Sequence, residues 1–84
     1  MAAATLNGDP EDISLGNATL RLQRLTSVAD TNTYDSGFRR ALAAIPIIES
    51  NTDTDVQVTS LAGGTLTFGV ETGTPNLLVL TIGQ

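Results

Sequence analysis

Chemistry in this chain would have to come from carboxylates. Nine Asp and Glu stand against Arg21, Arg24, Arg39 and Arg40, and the sequence has no His, Cys or Lys. An imidazole base, a thiolate and a Schiff-base amine are therefore all missing. Asp53 and Asp55 lie close together in SNTDTD, and Asp9, Glu11 and Asp12 crowd the N-terminal stretch. Two carboxylates can cleave a glycosidic bond, but one of them must have its pKa raised by apolar surroundings. Both groups here lie among turn-forming polar residues, which predicts solvated acids. The run NTDTD, residues 51–55, places oxygen ligands at alternate positions as the start of a calcium loop does. It lacks the later glycine and the bidentate glutamate of a helix–loop–helix site. Gly63-Gly64 is followed by neither GK[ST] nor a helix, so it is not a phosphate cradle. No catalytic, cofactor-binding or metal-ligating residue is assigned, no cofactor is expected, and the chain is expected not to be an enzyme.

The remaining side chains suit contact. Arg39 and Arg40 are adjacent, so in a strand they project to opposite faces. One can cover the core edge with its stem while the other reaches an acidic neighbour. Tyr34 and Phe38 flank a polar loop and are two of only three aromatics, suited equally to anchoring an interface and to capping the core. With Leu6, Ile13 and Leu15 of the N-terminal stretch, these four are the candidate partner-binding residues.

These groups must be positioned by one small domain. An 84-residue chain buries only roughly 60–65% of the surface its unfolded form exposes. Such domains usually add a disulfide, a metal or a partner, and without cysteine or histidine the expected device is self-association or docking on a larger body. The net charge of −5 makes nucleic acid a poor partner. No apolar run approaches the roughly 20 residues of a membrane span, and MAAATLNGDPED does not read as a signal peptide. A soluble protein with no membrane partner is expected.

Residues 1–17 predict an extended N-terminal arm, either disordered or lying along a neighbouring subunit with Leu6, Ile13 and Leu15 as pegs. Residues 18–84 predict the β domain. ATLRLQRLTSV, residues 18–28, fits a strand with a bulge near Gln23 or Arg24, which would bring Leu25 onto the face of Leu20 and Leu22; a helix remains open. ADTNTYDSG, residues 29–37, predicts a loop. FRRALAAIPIIE, residues 38–49, fits a strand with an edge or bulge at Pro46, with a helix over 37–45 as the competitor.

The last three segments are the clearest. VQVTSL, GGTLTFGVE and PNLLVLTIG predict strands joined by turns at Gly63-Gly64 and at GTPN, residues 73–76. Alternation puts Leu66, Phe68 and Val70 on the core side and Thr65, Thr67 and Glu71 on the other. The final strand is too apolar for a half-exposed edge, so it belongs in the centre of a sheet or against another chain. The fold class is mainly β, a small antiparallel sandwich or partly open barrel of about five strands with an extended N-terminal arm.

The stretch from Leu25 to Gln84, with its TSVAD…TYDSGFRR opening, Thr/Asp turn, GGTLTFGV strand and apolar last strand, resembles small structural proteins of tailed-bacteriophage heads. The resemblance implies a capsid decoration, or cement, protein: a β domain, often a homotrimer, that sits on the outer surface of the virion capsid and ties major capsid protein subunits together. It transfers no functional residue one by one. The alternatives are a neck, tail or fibre accessory protein of the virion and a glycan-binding module, the latter disfavoured by the scarcity of aromatics.

Overall fold

The computed structural model describes residues 2–50 and 54–84 and contains eight strands among them. These are β1 (Thr5–Leu6), β2 (Glu11–Ser14), β3 (Thr19–Thr26), β4 (Thr33–Asp35), β5 (Ala41–Ile48), β6 (Val56–Ser60), β7 (Thr65–Val70) and β8 (Leu77–Gly83). They form two antiparallel sheets: a larger one in the order β1-β3-β8-β5, with β2 also on β3, and a smaller one in the order β4-β7-β6. The fold is the expected small mainly-β sandwich, with no helix among the described residues.

The core lies between the sheets. Leu25, Leu77 and Val79 face it from the larger sheet; Tyr34, Leu66, Phe68 and Val70 face it from the smaller, and Val28 and Ala41 complete it. Leu66, Phe68 and Val70 thus form the inner face that alternation predicted. At the turn between β6 and β7, Gly63 takes a φ of 64°, and the Thr65 N–H donates to the Ala62 carbonyl at 3.1 Å. Glycine enters that region without the steric cost a side chain would bring.

Of residues 18–28, Thr19–Thr26 are strand, and the bulge expected near Gln23 or Arg24 is absent. Pairing with β8 runs unbroken from Thr19↔Gly83 to Leu25↔Leu77. Strict alternation puts Gln23 and Leu25 inside and Leu20 and Leu22 outside. The buried Gln23 is accommodated because its amide donates to the Gly8 carbonyl at 3.0 Å and the Arg24 carbonyl at 2.8 Å.

Residues 37–45 are not helical. β5 begins at Ala41, and its register shifts between Ala41 and Ala43 instead of at Pro46, which sits opposite Val79 on the outermost strand of the sheet. An outer strand is where a residue without an N–H is tolerated. The loop expected over residues 29–37 contains β4, whose Tyr34 lies opposite Leu66.

The N-terminal stretch lies along its own chain. β1 and β2 occupy the same edge of β3, with Thr5↔Thr26 through Ser14↔Thr19, and the Asp9-Pro10 turn falls in the break between them. The chain before β1 reaches the second sheet, where the Ala4 N–H donates to the Thr33 carbonyl at 2.7 Å.

Candidate functional site

The two sheets present very different outer faces. On the smaller sheet, Thr33 stands opposite Thr67, Asp35 opposite Thr65, and Gln57 opposite Gly69. That face is polar, as expected of an exposed sheet surface. On the larger sheet the register aligns three rows across the outer face, because directly opposed residues of antiparallel strands share a side. The first row is Ile13, Leu20, Ile82 and Ala43; the second is Glu11, Leu22, Leu80 and Ile45; the third is Arg24, Leu78 and Ile47. Ile13, Ile45 and Ile47 are 50, 57 and 44% exposed, and the leucines beside them are only half-buried.

β8 explains why this face exists. Its run Leu77–Ile82 is apolar at every position but Thr81, so both faces of the central strand are hydrophobic while only one meets the core. A hollow of about 150 Å³ opens on the outer face among Leu20, Ala43, Ala44, Ile45, Leu80 and Ile82. Charge borders the patch without entering it. Arg24 pairs with Glu49 at 3.3 Å at one end, and Glu11 lies along the β2 side. A contiguous exposed apolar surface with a polar rim makes this face the candidate contact site.

The candidate residues from the sequence divide between environments. Ile13 joins the apolar face. Leu6 lies opposite Leu25 and so on the core side, at the sheet's open edge, where it is 58% exposed. Leu15 follows β2 in the turn leading to β3 and is also exposed. Tyr34 is buried, which takes it out of any surface contact, and burial pushes its phenol pKa up.

Phe38 is half-buried. The Arg21 guanidinium lies 4.5 Å from its ring centre, and the Gly83 backbone comes so close that an added Cβ would sit 2.6 Å from the ring. Arg39 and Arg40 are exposed, and both backbone N–H groups donate to the Gln84 carbonyl. With Gly37 and Phe38 they border an open depression of about 390 Å³, and among the described residues neither guanidinium has an ion-pair partner.

Arg21 was not singled out by the sequence, yet it closes one end of the sandwich. Its guanidinium holds the Asp12 carboxylate in two hydrogen bonds of 2.8 and 2.9 Å, donates to the Ser36 carbonyl and stacks on Phe38. That pair holds the Asp12 carboxyl below its ordinary range and pushes the Arg21 pKa up. The alternation Arg21–Gln23–Leu25 on the core side of β3 was the available signal.

No family model matches this chain, and no curated protein or solved structure matches it.

Dispersed carboxylates complete the surface. Asp30, Asp55 and Glu71 border a second depression, where the Asp30 carboxylate accepts the Val70 N–H at 3.0 Å. Among the described residues no three acidic side chains are placed to hold a metal, and residues 51–53 of the NTDTD run, including Asp53, lie outside the described residues. No helix among the described residues is long and apolar enough to cross a membrane.

Proposed function

We propose that this chain is a non-enzymatic structural protein of a tailed-bacteriophage particle, of the capsid decoration, or cement, type. It acts by adhesion, on the outer surface of the capsid, through contacts with major capsid protein and with itself. The observation that carries the adhesive role is the aliphatic outer face of the larger sheet, set against the polar outer face of the smaller one. An apolar face left in water is a cost in a marginally stable domain, and burial against a partner that binds the folded form recovers it. The head-protein texture of Leu25–Gln84 supports the virion setting, and the absence of His, Cys and Lys supports a role that requires no reacting group.

Copy number tests the reading. Quantitative mass spectrometry of purified particles should find this chain in hundreds of copies, with its density on the shell exterior. A dozen copies or fewer would place it at a neck or tail, and absence from the particle would refute the virion role.

A further inference from the structure

We propose that the occupant of the apolar outer face is a second copy of this chain, packed face to face about a two-fold axis that runs along β8. This rests on the adhesive role of that face and names its partner.

The arrangement follows from the register. A half-turn about an axis parallel to β8 leaves each row in place and exchanges β3 with β5. Leu80 then meets Leu80, Leu22 meets Ile45, and Leu20 meets Ala43. The large side chain of Leu20 lands over the smallest residue of the face, where the hollow of about 150 Å³ opens. An apolar cavity of roughly that volume accommodates a benzene-sized group. Strand directions stay aligned, one of the two geometries in which sheets stack.

Charge fits the same operation. Glu49 lies just past the Ile47 row on β5, and the half-turn carries it beside Arg24 of the second copy, since Arg24 occupies the Leu78 row on β3. The intramolecular pair at 3.3 Å is thereby joined by two symmetric intermolecular ones. Glu11, on the far side of β3, is carried beyond the edge of β5 and stays in water. Ile13 moves with it to the β5 edge, near the exposed Leu42 at the register shift.

Pro46 disfavours the competing edge-to-edge mode. It removes a donor from the middle of β5, and the β3 edge is already occupied by β1 and β2. Strands spaced by about 4.8 Å and three rows about 7 Å apart give a footprint of roughly 300–400 Å² per copy. The pair therefore falls below the ~1,200–2,000 Å² total of stable specific complexes, and dissociation on the order of 100 μM is expected.

The chain has no cysteine, so single-cysteine cross-linking tests the axis directly. Leu80→Cys places a thiol on the axis, and Thr59→Cys places one on the smaller sheet, away from the proposed contact. With a bis-maleimide whose reach matches the roughly 10 Å spacing of stacked sheets, and the chains at about 200 μM, Leu80→Cys should be cross-linked into dimers about tenfold faster than Thr59→Cys, with the advantage lost on dilution. Equal rates would overturn the proposal.

Sedimentation of the unmodified chain provides a measurement free of any folding effect. Reversible dimers should hold about half of the chains near 100 μM and most of them by about 1 mM, and should disappear in Ile45→Lys, whose site is exposed. Arg24→Glu should weaken the pair, and Arg24→Glu with Glu49→Arg should restore it. A monomer at all concentrations, or a trimer, would overturn the pairing. A monomer that still decorates particles would leave the virion role standing, whereas a dimer absent from particles would remove that role and leave the pairing intact.

Discussion

Truncating two consecutive residues of β8 should give opposite results to those their sizes suggest. Val79 is fully buried between the sheets, while Leu80, its neighbour, lies half-buried on the outer face. Val79→Ala removes two methyl carbons, for about 1.6 kcal/mol of lost transfer energy. The roughly 50 Å³ left behind adds about 1.2 kcal/mol. The sum of about 3 kcal/mol is a large share of the ~4–13 kcal/mol expected for 84 residues, and should lower Tm by about 12–24 °C. Leu80→Ala removes three carbons and would cost about 2–5 kcal/mol at a closed core site. On an open face the loss reduces to strand propensity and partial burial, about 1 kcal/mol. Thermal and urea melts at low micromolar concentration, where the chain is monomeric, should therefore rank Val79→Ala well below Leu80→Ala. If Leu80→Ala proves as damaging as Val79→Ala, the outer face is closed within the monomer and the two-face account of β8 is wrong.

Three further outcomes follow from local features. The Thr81 hydroxyl is buried with no hydrogen-bond partner among the described residues, so Thr81→Val should raise stability by about 1 kcal/mol and Tm by about 4–8 °C; unchanged or lowered Tm would mean the hydroxyl is satisfied. Thr31 holds a φ of 66°, costly for a β-branched residue, and Thr31→Gly should be stabilising by about 0.5 kcal/mol in urea denaturation despite glycine's greater unfolded-state freedom. Asp12 has its folded-state pKa lowered from 3.8 by Arg21, so its contribution is complete above that value and is lost as pH falls through the lower folded-state pKa. Hydrogen-exchange protection of β2, corrected for intrinsic rates, should drop across that acid window in the natural chain and show no such step in Asp12→Asn.

Much of the β architecture is legible in residues 56–84, where period-two alternation and glycine turns agree. Leu66, Phe68 and Val70 alternate with small or polar neighbours, so one face is named without ambiguity. β3 is harder because it carries leucines on both faces. Grouping Leu20 and Leu22 with Leu25 assumes a single apolar face, whereas the sheet has two. β2 is hidden by its composition: three of the four residues of Glu11–Ser14 are polar, because the strand is exposed throughout and held by pairing with β3 and by Asp12 on Arg21. β4 is only three residues long within a turn-rich segment, and Tyr34 is its single apolar signal. The candidate contact face was half visible, since an unbroken apolar β8 requires cover on both sides. Which strands flank β8 is a matter of non-local pairing that periodicity does not encode.

The position of β8 also dictates an order of events in folding. β4, β7 and β6 can pair without it, but β3 and β5 are joined only through it, and it follows all the other strands in the chain. Until residues 77–83 insert, the larger sheet amounts to β3 with β1 and β2, β5 has no partner in it, and the facing edges of β3 and β5 stand open together with their leucines and isoleucines. Closure at such long sequence separation is slow, and an apolar strand awaiting its slot is the segment most exposed to pairing with the wrong chain. The strand that completes the molecule is thus also its principal misfolding hazard, and refolding yield should depend on protein concentration through β8 above all.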